Sequence, residues 1–366
     1  MDNTKKQPAV QDDPRNRNNI DWSGLANQIK LWGEEFGFQQ TGITDTRLKD
    51  AEHHLYQWLK EGYHGCMDYM SQHGTRRSRP EELVPGTIRV ISVRMDYLPG
   101  ENSDPASILA RPELAYVSRY ALGRDYHKVL RQRLQKLASR IEHEIGNFGY
   151  RVFTDSAPVL EKAIAEKAGL GWIGKHSNLL AEHTGSWFFL GEIYTDLPLP
   201  TDSASTNHCG TCTACIDICP TRAIIAPYTV DARLCISYLT IEMRGSIPVE
   251  LRPLMGNRIY GCDDCQLTCP WNRFATPTEE SDFLPRNKLD NITLIELFSW
   301  NEQDFLHNTE GSAIRRIGYE CWLRNIAVAL GNCPSTPEVV ECLNKRKNHK
   351  SELVREHVSW ALEQHV

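Results

Sequence analysis

The amino-acid sequence predicts an α+β protein in three parts, and three observations carry that reading. Strand-like and helix-like segments are mixed over residues 20–200; eight of the twelve cysteines fall between positions 209 and 269; and from about Leu294 onward the pattern is helical with no strand signal. The boundaries drawn from these shifts are a polar, disordered tail over 1–19, a mixed α/β domain over 20–200, a cysteine-bearing module over 201–280 and a helical domain over 281–366.

The elements follow in order. Leu25, Ile29, Trp32 and Phe36 recur at helical spacing and Gly37 follows as a stop. The run RVISVRMDY (89–97) is apolar and β-branched, and reads as a strand ended by Pro99-Gly100. Residues 128–145 predict a long amphipathic helix with Leu130, Leu134, Leu137, Ile141 and Ile145 as its core stripe. YRVFT (150–154) and SWFFLGEIY (186–194) read as strands, with a helix between them opened by Pro158 and closed at Gly169. LPLPTDSASTN (197–207) reads as a linker. In the helical part, CWLRNIAVALG (321–331) and LVREHVSWALE (353–363) resemble each other, which suggests stacked helix pairs of the HEAT type.

The cysteines are the strongest chemical signal. Cys209-x2-Cys212-x2-Cys215-x3-Cys219-Pro220 is followed by Cys262-x2-Cys265-x3-Cys269-Pro270, with Cys235 between them. A cubane 4Fe–4S cluster needs four soft thiolates, and a tight loop of this spacing supplies three. In two-cluster ferredoxins the cysteine before proline crosses to the other cluster. One predicted set is therefore Cys209, Cys212, Cys215 and Cys269, and the other is Cys219, Cys235, Cys262 and Cys265. Two such clusters lie roughly 10–12 Å apart in ferredoxin geometry. Paired zinc knuckles lack the triple run ending in Cys-Pro. Cys66, Cys321, Cys333 and Cys342 are left over, and are expected to be small buried hydrophobes.

Composition bounds the rest. Net charge is −6 and hydrophobic content 40%, so no global basic field advertises a nucleic acid, and the chain has the make-up of an ordinary globular protein. No apolar stretch reaches the roughly 18–20 residues that span a bilayer. The start MDNTKKQPAV has no apolar core of a signal peptide, and with the thiols this points to a reducing cytoplasm.

A ferredoxin needs only its cluster module, so the preceding residues must carry another activity. In DSAPVLEK (155–162), Asp155 is placed where a strand ends and a helix begins, and Glu161 follows. Either carboxylate is a candidate general acid; the plain alternative is that Asp155 or Ser156 caps the helix and Glu161 offsets its dipole. Gly169, Gly171 and Gly174 permit close backbone approach to a large planar ligand, with Trp172 to stack and Lys175 to meet a phosphate; a plain turn is the alternative. His64-Gly65-x-Met67-x-Tyr69 and Tyr120-x-x-Gly123-Arg124-Asp125-Tyr126-His127 mix aromatic faces and polar donors as ligand pockets do. Basic residues gather at Arg76, Arg77 and Arg79; at Lys128, Arg131, Arg133, Lys136 and Arg140; and at Arg315, Arg316, Arg324, Lys345, Arg346, Lys347 and Lys350. These are either a solvated surface or a phosphate-backbone track.

Taken together, HGCMDYM (64–70), RYALGRDYH (119–127), DSAPVLEKAIAEKAGLGWIGKHSNLL (155–180), CGTCTACIDICPT (209–221), CISYLTIE (235–242) and YGCDDCQLTCPWN (260–272) resemble the epoxyqueuosine reductases, a cobalamin-dependent tRNA-modifying family. As an ordered set these motifs are specific, whereas the ferredoxin run alone is not. The resemblance implies a cobalamin-binding domain related to reductive dehalogenases, a two-cluster ferredoxin-like module and, in part of the family, a HEAT-like extension. It implies that electrons from an external donor pass through both clusters to cobalamin, giving Co(I), which reduces the epoxide at the tRNA wobble base to queuosine. A carboxylic acid supplies the proton; by motif this is Asp155, with Glu161 as the fallback, and its pKa should be raised.

The residues implied for cobalamin are His64, Met67, Tyr120, Asp125, Tyr126, His127, Gly171, Trp172, Gly174, Lys175, His176 and Ser177. Leu130 stands where a corrinoid Asp-x-His-x-x-Gly motif has glycine, so His127 should not be an axial ligand. Those implied for tRNA are Arg76, Arg77, Lys128, Arg131, Lys136, Arg315, Arg316, Arg324, Lys345 and Lys347. No membrane partner and a monomer are expected. A reductive dehalogenase shares the cofactors without needing tRNA, and a two-cluster electron carrier would retain no corrinoid.

Overall fold

The computed structural model describes residues 20–100 and 104–366. The tail expected over 1–19 lies outside the described residues. The first helix, α1 (Trp22–Glu35), starts where Asp21 accepts a hydrogen bond from the Ser23 amide, and buries Leu25, Ile29 and Trp32. There follow β1 (Gln40–Thr44), α2 (Lys49–Lys60), β2 (Arg89–Asp96), α3 (Tyr126–Ile145), β3 (Tyr150–Phe153), α4 (Glu161–Lys167) and β4 (Phe188–Thr195). The strands form one sheet in the order β1–β2–β4–β3.

Every neighbouring pair in that sheet is antiparallel. The mixed α+β description therefore holds, but the α/β reading of residues 20–200, which implies parallel strands joined by crossovers, does not. Neighbouring strands run in opposite directions, and among strands consecutive in the chain only β2 and β3, which flank β4, share a direction and are joined by a crossover that includes α3.

The sheet is covered on both faces. Ile91, Val93 and Met95 of β2 and Phe189 and Ile193 of β4 pack with α1 and α3. Leu130, Leu134, Leu137 and Ile141 of α3 are inaccessible to solvent. Burial of each such side chain is worth about 1.5–3 kcal/mol, more than the few tenths that separate ordinary residues in helix propensity. Packing, then, holds this helix in place. On the opposite face, Val90 and Tyr194 meet Ile164 of α4, while Phe188 and Leu190 meet Ala165. Strand β4 is thus buried on both sides along its whole length.

The cysteine module is sewn to this domain. Tyr116–Val117 pairs in parallel with Arg258–Tyr260. Just beyond, the buried Asp263 accepts hydrogen bonds from Tyr116 Oη at 2.8 Å, Ser118 Oγ at 2.5 Å and the Arg119 amide at 2.8 Å.

From Leu294 on, every described element is helical. The two self-similar segments lie in α5 (Gly318–Asn332) and α7 (Glu352–Glu363), with α6 (Pro337–Asn344) between them in sequence. A side chain at Gly331 would meet Trp360 at 2.6 Å and Ala361 at 3.0 Å, so glycine there lets the helices cross closely. No helix among the described residues is long and apolar enough to cross a membrane. Cys321, Cys333 and Cys342 are buried, but Cys66 is exposed, contrary to expectation. Its backbone is held instead, the Cys66 amide donating to Tyr238 Oη at 2.8 Å.

Candidate active site and cluster ligands

The eight motif cysteines sort into two foursomes around two cavities. Cys209, Cys212, Cys215 and Cys269 line one of ≈ 220 Å³. Cys219, Cys235, Cys262 and Cys265 line another, of ≈ 400 Å³. His176 borders both. Lys175 is buried, and its ammonium donates to the carbonyls of Gly210 at 2.8 Å and Cys212 at 2.9 Å. It therefore fastens the first cysteine loop, and a phosphate-binding role is corrected.

The larger cavity also holds the acid site. Tyr97, Tyr120, Tyr126, Phe188 and Phe189 give it aromatic walls, and Asp155, Glu161, Lys162, His176 and Ser177 are its polar lining. Asp155 follows β3 in the left-handed region, at φ 39°. Such a conformation is uncommon outside glycine and marks a position worth a functional explanation. Asp155 does not cap α4. The N-cap is Leu160, without a side-chain cap, so the helix begins three residues later than Pro158 predicts. Glu161 Oε2 accepts instead from the Asp155 amide at 3.2 Å. The capping alternative is thereby removed for Asp155 and Ser156, while Glu161 does stand in the first turn of α4, where the dipole alternative puts it.

Asp155 is half-exposed to the cavity, and its Oδ2 is the focus of the site. It accepts a hydrogen bond from Tyr126 Oη and lies 3.3 Å from His127 Nε2. The Tyr126 ring is fixed by stacking on Phe189, with centroids 4.0 Å apart. His127 Nδ1 lies 2.8 Å from Asp125 Oδ1, and Asp125 is in turn paired with Arg316 and caps α3 through the His127 amide. A chain Arg316–Asp125–His127–Asp155 thus runs from the C-terminal part into the cavity. With both ring nitrogens engaged, His127 is held in one orientation beside Asp155.

The electrostatics separate the two acids. Burial opposes ionisation of Asp155, but the hydrogen bonds from His127 and Tyr126 and the charges of His127 and Arg316 outweigh it and hold its carboxyl below the usual range. Glu161 is pushed up to about 8, first by burial and then by the negative charge of Asp155. The raised acid expected at Asp155 is therefore found at Glu161. Burial works against His127 protonation, yet Asp125 and Asp155 raise it above its ordinary value. Burial and the charge of Lys162 push His176 down to about 4, leaving it neutral. Lys162 itself donates to the Ser177 carbonyl at 2.8 Å.

Other expected contacts lie elsewhere. Of the residues expected around a macrocycle, Tyr120, Tyr126, His176 and Ser177 line the larger cavity; Asp125 and His127 stand behind it. His64 packs on Trp58 and Met67 on the C-terminal core, and neither lines it. Trp172 is buried edge-on between His208 and Trp271, which excludes ligand stacking. A side chain at Gly171 would strike the Leu180 carbonyl at 2.1 Å, and one at Gly174 the Leu180 side chain at 2.7 Å. These glycines accommodate the hairpin of Trp172–Ile173 with Leu179–Leu180, and not a ligand.

The basic residues divide as well. Arg76, Lys128, Arg131, Lys136, Arg315, Arg316, Lys345 and Lys347 are exposed. Lys345 pairs with Glu341 at 2.8 Å. Arg77 is buried and donates to the Tyr69 carbonyl at 2.6 Å. Arg324 is wholly buried and donates to the carbonyls of Leu239, Met243 and Gly245. Neither arginine can reach a phosphate, and both expectations are corrected. The sequence reading also passed over Lys162, Asp263 and Glu192. The last had a signal, as the lone acid in SWFFLGEIY.

Comparison with known proteins bears on this arrangement. A family model described as Epoxyqueuosine reductase QueG, DUF1730 matches residues 77–156, and one described as 4Fe-4S double cluster binding domain matches residues 208–272, which contain all eight motif cysteines. The epoxyqueuosine reductase of Pseudomonas aeruginosa is 65% identical over 342 residues, covering 93% of this chain and 94% of that one. That of Escherichia coli is 59% identical over 347 residues, covering 95% and 91%. The solved epoxyqueuosine reductase from Streptococcus thermophilus has a TM-score of 0.84 at 25% identity, over 94% of this chain and 90% of that one. The chain belongs to the epoxyqueuosine reductase family.

Proposed function

We propose that Asp155 and Glu161 deliver the protons that this chain needs to reduce the epoxide of epoxyqueuosine, at the wobble position of tRNA, to the cyclopentene of queuosine. The observation that carries the reading is a single cavity bordered by four cluster-motif cysteines and by this carboxyl pair. The reaction takes two electrons and two protons, breaks both carbon–oxygen bonds of the epoxide and releases water. Asp155 presents its carboxylate to the cavity; its donors are His127, 3.3 Å from that carboxylate and protonated below its raised pKa, and Glu161, neutral at pH 7 and bound to the Asp155 backbone amide. Asp155 passes their protons to the departing oxygen.

We assign Cys209, Cys212, Cys215 and Cys269 to one cluster and Cys219, Cys235, Cys262 and Cys265 to the other. Cys212 is exposed, so the first cluster is the entry point for an external donor, and the second, at the larger cavity, is the exit. Cobalamin fits the larger cavity, where Tyr120 and Phe188 offer apolar surface to a macrocycle and Ser177, Asn178 and Thr221 offer polar contacts. Bound there, it supplies a low-valent cobalt centre for epoxide reduction. Exposed Arg76, Lys128, Arg131, Lys136, Arg315 and Lys347 hold tRNA phosphates. We read 20–200 as the cofactor domain, 201–280 as the cluster module and 281–366 as HEAT-like, in a cytoplasmic monomer.

Anaerobic turnover of epoxyqueuosine-containing tRNA with a strong reductant, with and without cobalamin, tests the reading. Nucleosides would be read by mass spectrometry. Loss of one oxygen mass only with cobalamin, and its absence in a cluster-replete Asp155→Asn variant, is the expected result. Full conversion by Asp155→Asn would overturn the proton assignment.

A further inference from the structure

The two cysteine cavities differ in charge. Besides its four cysteines, the smaller is lined by Lys175, Arg273, His176 and His208, and by no aspartate or glutamate among the described residues. Lys175 is buried, and its ammonium is held against the carbonyls of Gly210 at 2.8 Å and Cys212 at 2.9 Å. Among the described residues no carboxylate pairs with it. A buried ammonium without a counter-charge is costly. The larger cavity is lined by one lysine, Lys162, and by four carboxyl groups, those of Asp155, Glu161, Asp263 and Asp264. Arg258 offsets Asp264 at 2.5 Å, and Glu161 is neutral at pH 7, so this lining has no cationic excess. Exposure differs in the same sense: Cys212 is exposed, whereas Cys219, Cys235, Cys262 and Cys265 are all partly shielded.

We propose that Lys175 is the counter-charge of the first cluster and sets its reduction potential above that of the second. A 4Fe–4S cluster on four thiolates is anionic and gains one negative charge on reduction, so a fixed cation lining the same cavity favours the reduced form. Cluster potentials follow net charge, hydrogen bonding and solvent exposure. Lys175 is fixed at both ends, since its own carbonyl accepts from the Tyr228 amide at 2.9 Å. Arg273 adds to the effect weakly, because it is exposed and its charge is screened. One electron from the external donor therefore reduces the first cluster readily, and passing that electron on to the second reoxidises the first. The second cluster, with no such cation, is harder to reduce and is the stronger reductant on the side of the larger cavity. The inference rests on the assignment of one 4Fe–4S cluster to each foursome.

Redox titration of the anaerobic, cluster-replete chain, followed by electron paramagnetic resonance, tests this. The midpoint potential that Cys209→Ser moves or abolishes belongs to the first cluster, and it should be the higher of the two. Lys175→Gln removes the charge and keeps an amide donor. At a fixed potential the reduced-to-oxidised ratio of the first cluster should fall about tenfold or more, a drop of about 59 mV in its midpoint, while the second midpoint moves far less. Lys175→Arg keeps the charge and should stay near the unaltered value. An unmoved first midpoint in Lys175→Gln would overturn the proposal, as would an equal drop in Lys175→Arg, since altered packing affects both variants. If Lys175→Gln does not hold its first cluster, the unaltered chain carries the test: coincident midpoints, or a first cluster below the second, overturn the proposal. Iron content separates the two readings. Iron for fewer than two clusters in the unaltered chain defeats the cluster assignment itself, whereas two clusters with an unmoved midpoint defeat only the role of Lys175.

Discussion

His127 Nε2 lies 3.3 Å from Asp155 Oδ2, and the other ring nitrogen lies 2.8 Å from Asp125 Oδ1. One imidazole therefore spans two carboxylates, one on the cavity and one behind it. The outer carboxylate is itself tied to Arg316 of the C-terminal part. The arrangement fixes the orientation of the ring and favours its charged form, and that charge in turn keeps Asp155 ionised at rest.

Replacing His127 by Asn removes a proton donor and one of the groups that hold Asp155 low. Turnover should fall about 10²-fold or more, the usual scale for loss of a general acid–base partner, with cluster absorbance unchanged. The acidity of Asp155 should also weaken, so the pH profile of kcat should move, which loss of packing alone would not produce. An unshifted profile would refute the coupling.

Asp125→Asn gives a pH-dependent stability effect. His127 titrates higher in the folded chain than its ordinary value because Asp125 and Asp155 outweigh the opposing burial. Its contribution to stability is fully present below the unfolded pKa of about 6.5 and is lost as pH rises through the folded value. Asp125 itself is held at about 2, where His127 and Arg316 overcome burial, so it stays ionised throughout. Urea unfolding should therefore show a larger penalty for Asp125→Asn at about pH 6 than at about pH 9.

Much of the fold, and the grouping of the eight cysteines around two cavities, could be read from sequence because both signals are largely local. Ligand spacing is set by one loop, and the stripe of α3 by one helix. The acid site was partly legible: DSAPVLEK marked both acids, but only the left-handed turn at Asp155 decides between capping and presentation to a cavity. Arg77 and Arg324 were misread because a charged letter carries no depth. Glu192 was overlooked because a strand buried on both faces reads as an apolar run, although it is the one acid in SWFFLGEIY.

Salt dependence separates surface from scaffold among the basic residues. Arg76 and Lys136 are exposed. Changing either to alanine should weaken tRNA binding more in dilute than in concentrated salt, and each lost phosphate contact should reduce the slope of log K against log salt by about 0.7–0.9. Filter binding over a range of salt measures this. An unchanged slope would remove those residues from the phosphate track.

Arg324 should behave quite differently. Its guanidinium donates to Met243 O at 2.7 Å, Gly245 O at 2.8 Å and Leu239 O at 2.7 Å, and the neighbouring Asn325 donates to Thr240 O and Ile259 O, both at 2.9 Å. These carbonyls belong to the stretch after Cys235 and the strand before Cys262. A helix of the C-terminal part thus sets the backbone that presents two cysteines to the larger cavity. Arg324→Ala would take the donor from the buried Leu239 carbonyl and from the part-buried carbonyls of Met243 and Gly245, so a loss of about 1–3 kcal/mol is expected on urea unfolding. The second cluster should become labile while the salt slope of tRNA binding stays unchanged. A stable variant with a reduced slope would return Arg324 to the RNA surface.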